Sequence, residues 1–259
     1  MLSALRAWRR RRMIRRHALP EHLWQEAAGN LYFLDGLNAN EWARLRELAT
    51  LFLAEKHVNA AGGLVLTDAM RVNIAAQACL LILNLDLDYY GDWVELIVYP
   101  GDFIAEASYT DQHGIVHELR EPRSGESWLK GPVVLSWDAV ACGPVQGINV
   151  VIHEFAHKLD MLNGNANGYP PLHRGMSRGA WSAAFSTAYE DFCHEVDAGM
   201  ETWLDEYASN SPAEFFAVAS EAFFIEPRTM RSLYPAVYEQ LQQFYRQDPL
   251  ARLKAREPS

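Results

Sequence analysis

Residues 149–162 read Asn-Val-Val-Ile-His-Glu-Phe-Ala-His-Lys-Leu-Asp-Met-Leu, and within them His153, Glu154 and His157 make the pattern HExxH. Residues advance about 100° each around an α-helix. Measured from Ile148, the apolar Val151, Ile152, Phe155, Leu159 and Leu162 fall within about 60° of zero, a stripe suited to a core. His153 and His157 fall at about 140° and 180°, on the far side, with Glu154 at about 240°. A helix over about Gly147 to Leu162 can thus bury one face and present two imidazoles and a carboxylate to a cleft. Histidines one turn apart can grip one Zn²⁺ through ring nitrogens at about 2.0–2.1 Å. Glu154 sits beside them but off their line, where a carboxylate misses the ion and serves as general base toward a water. Two surface histidines on an amphipathic helix are the plainer reading. The whole triple on the non-core face favours the metal.

A catalytic zinc needs a third protein ligand and an open position. Asp160 follows His157 on the same face, in a row that suits tetrahedral coordination badly; a supporting hydrogen bond near an imidazole fits it better. The spacing HExxHxxGxxH is absent, because Asp160 and Asn163 stand where it requires Gly and His. His173 lies beyond a loop rich in Asn, Gly and Pro. Glu214 and Glu221 lie on a later helical stretch, Ser211 to Ile225, seven residues and about 10 Å apart along the axis. They cannot share one ion, and spacing does not choose between them. Each also has a structural role open to it. Ser211-Pro-Ala-Glu214 reads as a capping box, and a glutamate in an aromatic-rich helix often pairs with a buried polar group.

Outward from this centre the pattern is helical over Asn38 to His57 and from Thr67 to about Leu83. Short strand-like runs follow at Val94–Tyr99, Ile115–Leu119 and Val133–Trp137, punctuated by Gly and Pro. Of these, Gly131 to Trp137 is expected at a sheet edge, where an extended substrate would pair. Helical stretches return at Arg178–Val196, Ser211–Ile225 and Thr229–Gln247. Helices, a small sheet, then helices make an α+β arrangement, read as one domain over residues 20–259.

The 259 residues are 49% hydrophobic and 22% charged, ordinary globular usage that excludes fibrous and wholly disordered classes. No apolar run approaches the roughly 18 residues of a membrane span. Seven of the 23 Lys and Arg crowd into residues 1–16, so the remainder sets 16 basic against 33 acidic side chains, a net of −17. An acidic body argues against a nucleic-acid surface. The basic head, residues 1–19, reads as a flexible, solvated tail; its alternative is an amphipathic helix over 1–16 on an anionic membrane face or an acidic partner. Three scattered cysteines, Cys79, Cys142 and Cys193, without a CxxC spacing or a secretory signal, point to reduced thiols in the cytoplasm.

Several stretches together resemble the Mlc titration factor A family of bacterial metallopeptidases: Ile97-Val-Tyr-Pro, Gly131-Pro-Val-Val-Leu-Ser-Trp, His153-Glu-Phe-Ala-His-Lys-Leu-Asp, Asp205-Glu-Tyr-Ala, the Ser211–Phe224 helix and Gln247-Asp-Pro-Leu. They spread over about residues 20–255. The family's catalytic domain is similar to that of anthrax lethal factor, which shares a tyrosine seven residues before its glutamate ligand; here that pair is Tyr207 and Glu214. The resemblance implies a zincin-like fold with helices around a small mixed sheet. It implies His153, His157 and Glu214 as zinc ligands, Glu154 as general base, Tyr207 as a hydroxyl at the reacting carbonyl and Glu221 in support. It further implies a gluzincin-type peptidase acting on peptides, aminopeptidase-like, and sequestration of Mlc, a transcriptional repressor. A partner-binding regulator with a structural or vestigial metal site is the alternative. The arginine-rich head lies outside what the resemblance explains.

Overall fold

The computed structural model describes residues 2–110, 116–144 and 147–254; for 2–7, 105–110, 116–122 and 254 it describes the backbone alone. In chain order the elements are α1 (Leu2–Arg16), α2 (Glu21–Ala28), α3 (Ala39–Glu55), β1 (His57–Ala60), α4 (Asp68–Leu81), β2 (Glu95–Tyr99), β3 (Phe103–Thr110) and β4 (Val116–Arg123). There follow β5 (Gly125–Ser127), β6 (Val133–Ser136), α5 (Trp137–Ala141), α6 (Val150–Asp160), α7 (Arg178–Asp197), α8 (Pro212–Ile225), α9 (Pro227–Leu233), α10 (Pro235–Tyr245) and α11 (Pro249–Lys254). The α+β expectation holds.

Side chains at the element ends decide where the helices begin. Asn38 and Glu41 form a reciprocal capping box on α3, and Thr67 Oγ1 accepts from the Met70 amide at the start of α4. Helix α6 starts at Val150, three residues later than expected. Gly147 has φ +82°, a left-handed conformation outside a helix, and the Asn149 side chain caps by accepting from the Ile152 amide at 2.9 Å. The single helix expected over Thr229–Gln247 is two, α9 and α10. Pro235 lacks the N–H that would continue α9, and Tyr234 before it leaves the helical region at φ −124°, ψ 58°.

The sheet has the order β1-β2-β6-β5. The first three strands are parallel, and β5 pairs antiparallel with β6, Gly125 opposite Leu135. The strand Val133–Ser136 is therefore interior, flanked by β2 and β5 and buried throughout. This corrects the expectation that it forms the edge. The edges are β1 and the three-residue, half-buried β5, which lies against α6, where Ser127 Oγ donates to the Glu154 carbonyl at 2.9 Å. Strands β3 and β4 form a separate antiparallel pair.

Two aromatic clusters clamp the central helices. Phe155 on α6 is packed by Phe52, Tyr90 and Trp93 at ring separations of 5.1–5.7 Å. Of the expected stripe, Val151, Ile152, Phe155 and Leu159 are fully buried, and Leu162, past the end of α6, is half-buried. Helix α8 is buried from Phe215 through Ile225, an all-round apolar helix in the middle of the molecule, with the rings of Trp181, Phe185 and Phe244 packed tilted or edge-on against Phe216. Burying each such aromatic contributes on the order of 1.5–3 kcal/mol.

Residues 2–16, expected as a solvated tail, are helical here. Met13 and Ile14 pack on the core, and Arg10 bridges Asp86 at 2.6 Å and Asp88 at 2.7 Å. The opposite face exposes Trp8 with Arg9, Arg11, Arg12, Arg15 and Arg16 around it. Among the described residues no helix is long and apolar enough to cross a membrane.

Candidate active site

Helices α6 and α8 lie against each other and bring three donor atoms to one point. His153 Nε2 stands 2.9 Å and His157 Nε2 3.1 Å from Glu214 Oε2, and the two nitrogens are 3.2 Å apart. Donors about 2.1 Å from a tetrahedral ion lie roughly 3.4 Å from one another, so the triangle is close to the size a zinc ion needs. The two glutamates that spacing could not separate meet different nitrogens of His153. Glu221 Oε1 meets the other nitrogen of His153, Nδ1, at 2.7 Å, so one imidazole is bracketed by both carboxylates of α8. With Nδ1–H donated to Glu221, Nε2 turns a lone pair toward another acceptor, Glu214 Oε2. In that tautomer the two facing acceptors, 2.9 Å apart, are held together by a positive charge between them, a proton or a metal ion. Among the described residues His153, His157 and Glu214 are the one such group.

The electrostatics agree. Burial alone would raise the Glu214 carboxyl, but hydrogen bonds and charge from His153 and His157 hold it well below the usual carboxylate range. Burial works against protonating His153, yet Glu221, Glu214 and Glu154 around it raise its affinity for positive charge well above normal. Burial pushes Glu221 up, against the pull of His153.

Glu154 is 5% exposed, and its Oε2 is buried without a hydrogen-bond partner. Burial raises its pKa, the two histidines opposing. An unpaired buried carboxylate oxygen costs stability, and such atoms collect where a reacting group is awaited. Gly125 on β5 makes the room: a Cβ there would stand 2.4 Å from Glu154 Oε1 and 2.8 Å from its Cγ. The resulting cleft, about 310 Å³, is lined by Gly125, His153, Glu154, Asp205, Tyr207 and Glu221.

Tyr207 comes to the mouth of this cleft on a 3-10 turn, Glu206–Asn210. Its ring centre is 6.0 Å from that of His153, its amide donates to Asp205 at 2.8 Å, and it is 45% exposed. The structure does not bring Asp160 to an imidazole. It is fully buried and accepts from the amides of Asn167, Gly168 and Tyr169 at 2.7–3.0 Å, so it shapes the loop that packs on the start of α8. Gly168 is the close approach of that loop: at φ +76°, it leaves no room for a Cβ, which would meet the Pro212 carbonyl at 2.4 Å. His173 is elsewhere, between the Tyr89 hydroxyl and the Phe244 carbonyl.

Sequence reasoning missed Lys158. Its buried ammonium donates to the carbonyls of Trp128 at 2.6 Å and Gly131 at 2.8 Å, fastening the β5–β6 turn to α6, and it lies 5.1 Å from the Trp93 ring. Lys56, bonded to the Tyr90 and Trp93 carbonyls, approaches the same ring at 4.2 Å. Burial pushes both lysines down to about 8. A lysine directly after HExxH, beside the apolar stripe, was the available signal.

Residues 5–246 match the family described as glucose-regulated metallo-peptidase M90, a match that begins inside the basic head. The chain is also 39% identical over 240 residues to Mlc titration factor A of Yersinia pestis (strain Pestoides F) and of Yersinia pseudotuberculosis serotype O:1b (strain IP 31758). Those alignments cover 91% of this chain and 88% of each relative.

Proposed function

The chain belongs to the glucose-regulated metallo-peptidase M90 family, and from that premise we propose that it is a zinc-dependent, gluzincin-type peptidase with His153, His157 and Glu214 as its ligands. The observation that carries this reading is the convergence of those three donors beside the unpartnered Oε2 of Glu154. A zinc ion held there supplies a Lewis acid that polarises the scissile carbonyl and makes water acidic near neutral pH. Glu154 takes the proton of the attacking water at its free oxygen and delivers it to the leaving amine. Its raised pKa suits a group that must both accept and return a proton. Tyr207 donates to the carbonyl oxygen as charge develops there. Glu221 holds His153 in the tautomer that leaves Nε2 free to ligate. Exchanging Glu154→Gln removes the base and keeps the shape. Zinc content should stay at that of the parent while peptide turnover falls by about 10²–10⁴. Near-parental turnover would refute the assignment.

The finer activity is aminopeptidase-like. It is supported by the family resemblance. Comparing hydrolysis of one peptide with a free and with a blocked amino terminus tests it. The relatives' name, Mlc titration factor A, supports binding of an Mlc-type repressor as a second activity. A Glu154→Gln protein that still retains such a repressor would separate binding from cleavage. Scattered free thiols support a cytoplasmic setting. The Trp8 and arginine face of α1 supports peripheral contact with an anionic membrane, tested by vesicle sedimentation with and without residues 1–16.

A further inference from the structure

The small cleft at the donor triangle is not closed. It shares Ile148 and Asp205 with a second cavity of about 810 Å³, which also has Glu201, Glu206 and Glu226 on its walls. That cavity shares Glu201 and Trp203 with a third, about 800 Å³, between α7 and α10. Through these shared walls the three cavities adjoin in a row that starts at Glu154, which lines the innermost, and they are taken together as one trough. The outer part has an apolar floor that includes Ala184, Ala188, Trp203 and Val237, and Leu233 there is 54% exposed. Its rim is acidic, with Asp191, Glu195 and Glu201; Glu239, farther along, is paired with Arg231. Among the described residues neither outer cavity is lined by a Lys or Arg. The field is felt nearby: burial, reinforced by Glu195 and Asp191, pushes Tyr234 up to about 12.

We propose that this trough is an extended subsite for a polypeptide segment that alternates basic and aliphatic residues and continues from the bond held at Glu154. Charge complementarity and continuity with the cleft single out that occupant. An apolar floor takes aliphatic side chains while Asp191, Glu195 and Glu201 on the rim take ammonium or guanidinium groups. From Ala180 to Glu195 the α7 wall runs about 22 Å, room for about seven residues of extended chain. The inference rests on the peptidase reading for the position of the cleaved bond, and on the trough alone for the class of chain recognised.

The test uses the full chain and a short cleavable peptide, unextended or extended at either end by Lys-Leu, Gln-Leu or Glu-Leu repeats. The Lys-Leu extension should raise kcat/KM by about ten- to a hundredfold over Gln-Leu at low salt, a gain that shrinks toward about 0.5 M salt. Exposed Glu195→Lys and Glu201→Lys together should abolish the gain and leave the unextended peptide unaffected. Cleavage indifferent to the extension's charge overturns the trough and leaves the peptidase standing. If no peptide is cleaved, anisotropy of a labelled Lys-Leu peptide decides. Binding that the two lysine substitutions abolish retains the trough while the peptidase reading falls; no binding overturns the trough too. Sedimentation of the protein alone is the remaining control. Self-association lost on Trp8→Ala or Arg12→Glu, and on filling the rim with lysines, would assign the trough to α1 of a second copy and overturn the proposal.

Discussion

Gly125→Ala is the smallest change that reaches the chemistry from outside it. The new Cβ would stand 2.4 Å from Glu154 Oε1, 2.7 Å from Val150 Cγ2 and 2.8 Å from Glu154 Cγ. None of these approaches is tolerable, so either β5 lifts from α6 or the Glu154 carboxylate swings aside. Lifting β5 strains the Ser127 to Glu154 carbonyl bond and the pairing of Gly125 with Leu135. Overpacking of this kind costs about 1–3 kcal/mol, which at about 2–4 °C per kcal/mol lowers Tm measurably. Moving a proton-transfer group by about 1 Å costs on the order of 10²-fold in rate. The expected result is a loss of about 10²-fold in kcat with zinc content unchanged, because no ligand is touched. The double change Gly125→Ala with Val150→Ala relieves one contact of the three and should recover stability without recovering kcat. Parental kcat in Gly125→Ala, measured on a short peptide with metal content checked, would show that Glu154 is not confined as described.

Glu221→Gln leaves a weaker acceptor on His153 Nδ1, and zinc affinity, read by competition with a chelator, should fall about 10–100-fold. Asp160→Ala strips three amides of their acceptor; denaturant unfolding should register a loss of about 1–3 kcal/mol, with proteolytic nicking of residues 163–171. Lys158→Met leaves the Trp128 and Gly131 carbonyls unpaired, and it should raise KM more than it lowers kcat, since the hairpin rather than the donor triangle is loosened. Lys56 and Lys158 titrate near 8 in the folded chain and at the ordinary 10.5 when unfolded. Between those values the unfolded chain binds more protons, so stability rises with pH across about 8 to 10.5. The rise should be shallower in Lys158→Met, as followed by urea midpoints at several pH values.

The parts of the site visible in the sequence are those set by helical periodicity. His153, Glu154 and His157 follow from a spacing of four and an apolar stripe, and both survive folding because α6 is regular. Glu214 and Glu221 could not be separated by counting, because the distinction lies in how α8 crosses α6 and which nitrogen of His153 each glutamate reaches. Resemblance chose Glu214 where spacing was silent, and Glu214 Oε2 is the carboxylate oxygen that meets both Nε2 atoms. The strand at Val133–Ser136 was legible as a strand but not as an interior one. Its outer neighbour, Gly125-Glu126-Ser127, has no apolar residue and no alternation to reveal it. β1, with one buried residue in four, was equally hidden. Lys158 drew no reading from the sequence, which does not disclose two carbonyls waiting in a turn 27 and 30 residues away.

Asn149 ties these pieces together. Its side chain caps α6, its own amide donates to Glu221, and its Nδ2 reaches Gln77 on α4 at 2.7 Å. The socket is therefore braced by the hydrophobic interior, independent of whatever ion it receives. Small zinc modules unravel when stripped. This scaffold should instead tolerate repeated emptying and refilling, and could hold different divalent ions without rebuilding itself.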